Sequence, residues 1–168
     1  VTFLEQGERL TQKDVATARK KGLRHLYAVW VKAIAEALVR STRFDPLHEA
    51  STEQELYDRL PAVMAGLQLN PSVLFEMVVG SKSYRGNLSR ELFAAKSHGV
   101  FQEIGEMIDL MRKRHGKPGQ PVALQLTHRL ASLPGCGEML ATLDGVQERE
   151  LEPGAGAFGT LGLWQELS

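Results

Sequence analysis

The sequence predicts an α/β fold with long helices, a β-hairpin and a small mixed sheet, and three stretches carry that prediction. Across residues 121–164, β-rich and helical runs alternate between turn residues in the order strand, turn, helix, strand, helix. Apolar residues recur at intervals of three and four over residues 15–41 and again after Ser89, the mark of helices that bury one face. Residues 73–79 and 82–85 flank Gly80-Ser81, which predicts a hairpin.

Taken in order, residues 1–9 hold Val1, Phe3 and Leu4 before a polar stretch with Gly7, and read as the tail of an element whose partners lie upstream. The chain is therefore expected to be a segment of a longer protein. Thr11 is placed to cap the next helix, with Asp14 in its first turn, where a carboxylate is favoured. Leu23, Leu26, Tyr27, Trp30, Ile34, Ala37 and Leu38 form the apolar stripe of that helix, and Gly22 marks a close crossing or a break in it. Ser51 and Gln54 have capping-box spacing for a helix through Leu56, Tyr57, Leu60, Val63, Met64 and Leu67. Pro61 falls inside it, so either the helix bends near Arg59 or Leu60 or two short helices meet there.

Residues 68–72, with Asn70-Pro71, form a loop before the hairpin. A lone hairpin is marginal in water, so this one must lie on the two preceding helices or extend a sheet. Ser89 caps the long helix that follows, with Glu91 in its first turn and Arg112, Lys113, Arg114 and His115 at its end, each favourable to the helix dipole. Leu92, Phe93, Val100, Ile104, Met107, Ile108 and Met111 supply its stripe. Val122, Ala123, Leu124 and Leu126 then read as a mostly buried strand, and Leu133-Pro134-Gly135 as the start of a helix, where proline is tolerated. Residues 146–151 are a second strand, and Pro153-Gly154 opens a last helix of small residues. Ala155, Gly156, Ala157 and Gly159 suit something passing close to the backbone, either a neighbouring element or a ligand. The coarse division is a helical lobe with its hairpin at residues 1–88 and an α/β half-domain at residues 89–168.

Composition narrows the function. Lysine plus arginine equals aspartate plus glutamate at 20 each, so no global charge points to nucleic acid or to an anionic membrane surface. No apolar run approaches a membrane span and no signal-peptide pattern is present, so no membrane is expected and the cytoplasm is the default location. The single Cys136 excludes an internal disulfide framework. Its place early in a helix could lower the thiol pKa, although a buried inert cysteine is the commoner case. The basic cluster Arg19, Lys20, Lys21, Arg24 and His25 reads as a solvated helical face, with Glu5, Glu8 and Asp14 just upstream.

Catalytic signals are weak. Ser89, Ser97, Ser132, His98, His128, Asp109 and Asp144 offer triad residue types but no nucleophile elbow. Glu103 and Glu106 share a helix face without a matching histidine motif. Residues 153–159 are glycine-rich but lack both the dinucleotide fingerprint and the phosphate-loop lysine. No catalytic residue is assigned.

The order of these elements resembles the C-terminal half of the nucleotide-binding domain in DnaK-type chaperones and the wider actin-like ATPase superfamily. The residues that carry the resemblance are the hairpin, the Leu88-Ser89-Arg90-Glu91 helix start, Leu133-Pro134 where the family has Ile-Pro, and Ala157-Phe158-Gly159-Thr160 after Pro153 where it has Ala-x-Gly-Ala. The resemblance covers residues 15–168. It implies an actin-like second-lobe fragment, with a sheet of at least three strands open at one edge and a cleft beside Thr127, His128 and the last helix. It also implies that ATP or ADP contacts Thr127, His128, Arg129 and Gly154 in the full-length protein. Two departures stand out: His128-Arg129 replaces the family's glycine pair, and Leu130-Ala131-Ser132 replaces its serine-x-arginine. The family's phosphate loops and catalytic carboxylates belong to an N-terminal half, which becomes the implied partner, so the segment alone should hydrolyse nothing. The alternative is a noncatalytic helical module that binds protein partners through exposed apolar surface around Tyr27 and Trp30.

Overall fold

Trp30 sits at the centre of the molecule and ties its halves together. In the computed structural model, which describes residues 2–6, 9–19, 22–116 and 122–155, this side chain has no solvent exposure. Its indole N–H donates to Ser97 Oγ at 2.7 Å and to the Phe93 carbonyl at 3.3 Å, so the one polar atom it buries is satisfied. The exposed Trp30 surface expected of a helical interaction module is thus absent, because the position lies on the face that meets the long helix carrying Phe93 and Ser97.

The elements run β1 (Thr2–Gln6), β2 (Arg9–Asp14), α1 (Leu23–Thr42), α2 (Ala50–Leu69), β3 (Ser72–Val79), β4 (Lys82–Ser89), α3 (Arg90–His115), β5 (Val122–Thr127), α4 (His128–Ala131), α5 (Cys136–Leu140) and β6 (Val146–Leu151). The architecture is mixed α/β. Among the described residues the strands form three two-stranded sheets, antiparallel β1–β2 and β3–β4 and parallel β5–β6. The expected sheet of three or more strands is not formed by these residues. One apolar core runs from Leu26, Ile34 and Leu38 of α1 through Leu56, Leu60 and Leu67 of α2 to Phe93 and Phe101 of α3 and on to Leu126, Cys136 and Leu140.

Local signals succeed where an apolar face stands behind them. Ser89 caps α3 as expected, its Oγ accepting from Leu92 N–H at 3.1 Å. The hairpin turns at Gly80-Ser81, with φ +60° at Gly80 as a two-residue type II′ connection requires. Helix α1 packs against β4 and α2 against β3, so the hairpin lies on the two preceding helices.

Several expectations are corrected. Thr11 and Asp14 belong to strand β2, and α1 begins only at Leu23, with Gly22 as its N-cap rather than an interior break. The intervening stretch has no stripe to bury: Val15 is exposed, and Leu26 is the first buried residue of α1. Lys20 and Lys21 lie outside the described residues. Ser51 is not a cap either. Glu49 holds the N-cap position of α2, and Thr52 Oγ1 instead donates to the Pro46 carbonyl at 2.6 Å, while Gln54 reaches Asp58 on the surface. Of the two outcomes expected at Pro61, the structure keeps one helix: α2 runs through it, losing the ladder bond to the Tyr57 carbonyl while Leu56, Leu60, Val63, Met64 and Leu67 bury its inner face. Helix α5 starts after Leu133-Pro134-Gly135, at Cys136. Gly135 is required there, since its φ is +94° and a Cβ would lie 3.0 Å from the Phe101 ring. Of the helix expected from Pro153, only Ala155 begins a helical turn, and the rest lies outside the described residues.

Candidate site at the carboxyl ends of β5 and β6

Strand β5 alternates. Val122, Leu124 and Leu126 turn toward the core while Ala123, Gln125 and Thr127 are exposed, so it is half-buried rather than mostly buried as its apolar run implied. Helix α3 approaches this sheet through α5, where Gly105 lies against Met139 and Leu143, rather than by covering β5 along its length. The strand pairs in parallel with β6, in register from Val122 with Val146 to Thr127 with Leu151, and the crossover runs through α4 and α5. Both strands therefore end at the same edge of the sheet.

The four residues assigned from sequence gather at that edge. Thr127 is the last residue of β5 and the N-cap of α4, its Oγ1 accepting from Leu130 N–H at 3.4 Å. His128 and Arg129 form the first turn of that short helix, and Gly154 follows β6 with φ +81°. All four are exposed. A residue the sequence did not single out joins them: Glu150 Oε1 lies 2.6 Å from His128 Nδ1, an exposed pair that spans β6 and α4. With a proton on Nδ1 the imidazole donates to this carboxylate, which fixes the ring across the strand ends. Arg129 makes no ion pair among the described residues. The edge thus offers one open guanidinium, one carboxylate-held imidazole and a backbone turn that a ligand can approach closely.

An open surface pocket of about 440 Å³ lies away from this edge, lined by Lys32, Glu36, Val39 and Arg40 of α1 and by Asp45 and Leu47.

The other candidate residues are occupied or scattered. Ser97 Oγ is engaged with Trp30 and the Phe93 carbonyl, Ser132 Oγ with the Arg129 carbonyl, and Ser89 Oγ with its cap. No group of three metal-ligating side chains occurs among the described residues. Cys136 is fully buried, and burial, followed by the negative charges of Glu148 and Glu138, pushes its thiol up to about 11. That overturns the idea of a thiol activated by its helix, because desolvating a thiolate outweighs one short helical turn. The basic end of α3 is also engaged. Arg112 bonds the Asp144 carbonyl, and Arg114 and His115 meet Asp14 at 3.1 and 2.9 Å. Arg24 and His25 of the other basic cluster are exposed at the start of α1. No described helix is long and apolar enough to cross a membrane.

Comparison with known protein families finds no family model that matches this chain, and comparison with curated proteins finds no match.

Proposed function

We propose that this chain is the second lobe of a DnaK-type, actin-like nucleotide-binding protein of the cytoplasm, and that Thr127, His128, Arg129 and Gly154 face the base or ribose of ATP or ADP. The observation that carries the proposal is the parallel β5–β6 pair, whose carboxyl ends bring the Thr127–Arg129 turn and the Gly154 turn to one edge. Ligands of open α/β sheets bind outside the carboxyl ends of their strands. The element order adds support: hairpin, Ser89-capped long helix, strand, short helical crossover, parallel strand. In this reading Arg129 and His128 stack on or hydrogen-bond the base where glycines would otherwise leave room. The phosphates and the chemistry belong to the N-terminal half, the lobe's partner, so the segment alone is not catalytic.

The His128–Glu150 pair favours a second reading, a lobe whose nucleotide cleft is obstructed and which serves as a scaffold. Nucleotide titration of the full-length protein tests both. His128→Gly and Gly154→Leu should change affinity in opposite directions if the cleft is inherited but obstructed, the glycine variant binding more tightly. Both should weaken binding if His128 itself contacts the base. Equal affinity in the wild type and both variants would sink the assignment.

A further inference from the structure

Helix α1 carries a second stripe beside the one it buries. Lys32, Ala35, Glu36, Val39 and Arg40 recur at intervals of three and four, so they lie along one side of it. At its carboxyl end Arg43, with φ +64°, turns the chain, and the loop that follows sets Asp45 and Leu47 against that side. The loop is held at several points. Phe44 stacks on Tyr84 with ring centroids 4.0 Å apart, Pro46 is buried, and the Pro46 carbonyl accepts from Thr52 Oγ1 at 2.6 Å. Asp45 Oδ1 accepts from Leu47 N–H at 2.9 Å. The pocket of about 440 Å³ between helix and loop is therefore formed in advance of any ligand, and its volume is that of a small-molecule site.

Its floor is apolar and its charges do not cancel. Ala35 is 3% exposed and is the shortest side chain of the stripe, which leaves the hollow beside Val39 and Leu47. Both carboxylates already have partners in the protein: Glu36 Oε2 meets Lys96 Nζ of α3 at 2.7 Å, and Asp45 is held by its own loop. The cations are freer. Lys32 forms no ion pair among the described residues. Arg40 donates through Nε to the Glu36 carbonyl at 3.3 Å, while its Nη2 reaches Glu36 Oε2 only at 3.8 Å. With Lys96 counted, cations outnumber carboxylates here by one.

We propose that this pocket binds a small organic carboxylate with a compact apolar body, the carboxylate taken by Lys32 and Arg40 and the body laid over Ala35, Val39 and Leu47. Lys32 and Arg40 stand about 12 Å apart along α1, a span that a lysine and an arginine side chain can close from opposite ends. A neutral head group gains nothing from these cations, and an ammonium is repelled by them. The charge of the head group therefore decides the affinity, and the apolar body decides the place.

The test follows amide NMR spectra through titrations with hydrocinnamate, its amide and the matching amine, phenylpropylamine, three probes that share one body and differ in head-group charge. The acid should shift the amides of α1 from Lys32 to Arg40 and those of Asp45 and Leu47, saturating at millimolar concentration. It should bind about fivefold more tightly than the amide, which is what an exposed ion pair supplies at best, and the amine should bind more weakly still. Lys32→Gln with Arg40→Gln, both at exposed positions, should equalise acid and amide. Val39→Trp should fill the hollow and abolish the shifts. The proposal is overturned by a wild type in which the acid gives no saturable shift or binds no more tightly than the amide. An acid preference that survives the double variant overturns it too, as does binding that Val39→Trp leaves unchanged. Shifts of the same amides on raising the protein concentration alone would show that a second copy of the chain fills the pocket, and would equally sink the assignment.

Discussion

The β3–β4 and β5–β6 pairs flank α3 in the sequence and are held in place by different means. The hairpin closes on itself through a two-residue turn, and Phe75, Met77 and Leu88 bury one face of it on α1 and α2. Gly86 lets α1 come close, since a Cβ there would lie 3.3 Å from Leu38 Cδ2. Its open face carries the Glu76, Ser83 and Arg85 network beside the exposed side chains of Leu74 and Val78. The parallel pair has no local turn, and Leu126 is its one fully buried side chain. Its other face, with Ala123, Gln125, Thr127, Gln147 and Arg149, is exposed among the described residues. Parallel sheets are ordinarily covered on both faces. The hairpin is therefore fixed by its own turn and by α1 and α2, whereas the β5–β6 pair depends on the packing of α5 against α3 and, among the described residues, leaves a face open.

Two truncations separate these dependences. Trp30→Ala removes the side chain that joins α1 beneath the hairpin to α3, and should cost about 3–5 kcal/mol in urea unfolding, with amide exchange accelerated in both sheets. Leu126→Ala should cost about 2–3 kcal/mol and accelerate exchange in β5 and β6 while the hairpin stays protected. Equal loss of protection in both sheets from Leu126→Ala would end the distinction.

The contrast also explains what the sequence disclosed. Ser89 and Gly80-Ser81 were legible because each signal is local and an apolar face follows within a few residues. Thr11 and Ser51 have the same chemistry as Ser89 but misled. A cap residue fixes a helix start only where burial begins behind it, and at Thr11 pairing with Leu4 of β1 prevails. The Thr127–Arg129 turn was legible as the end of a strand. Its contact with Glu150 was not, since pairing across a parallel register leaves no periodic trace in the chain. Arg59 on the Glu76 carbonyl and Asp14 on the end of α3 are equally nonlocal.

High pH should act on the β5–β6 side through Cys136. The folded Cys136 thiol titrates at about 11 against an ordinary 9.0, mainly because burial disfavours the thiolate. A folded pKa above the unfolded one means that this contribution to stability is fully present below the unfolded value and is lost as pH rises through the folded value. Unfolding free energy should therefore decline between about pH 9 and 11, and Cys136→Ala should flatten that decline. Exchange near β6 and α5 should accelerate in the same window, and more in the wild type than in Cys136→Ala. A decline identical in wild type and variant would assign the loss to other groups.

The smallest effect is expected at a third strand pair, β1–β2, which is tethered by charge. Asp14, the last residue of β2, accepts from Val15 N–H at 2.8 Å and from Arg114 at 3.1 Å, and its Oδ2 lies 2.9 Å from His115 Nε2. The hydrogen bond with His115, then that from Arg114, then that from the Val15 backbone, hold the carboxyl below its ordinary 3.8. A depressed folded pKa gives stabilisation that is present above the unfolded value and disappears as pH falls through the folded one. Solvent screens this contact, so global unfolding should barely register it, and the readout must be local. Amide exchange in β1 and β2, corrected for the intrinsic pH dependence, should show extra opening as pH falls below about 4, and Asp14→Asn should show that opening already at neutral pH. At neutral pH the β3–β4 hairpin, which does not contact Asp14, supplies the internal control for Asp14→Asn; under acid it does not, because Glu76 is itself held below its ordinary value by Ser83 and then Arg85. If Asp14→Asn leaves β1 and β2 as protected as in the wild type at pH 7, the carboxylate is not the tether and the strand pair is held by its own ladder.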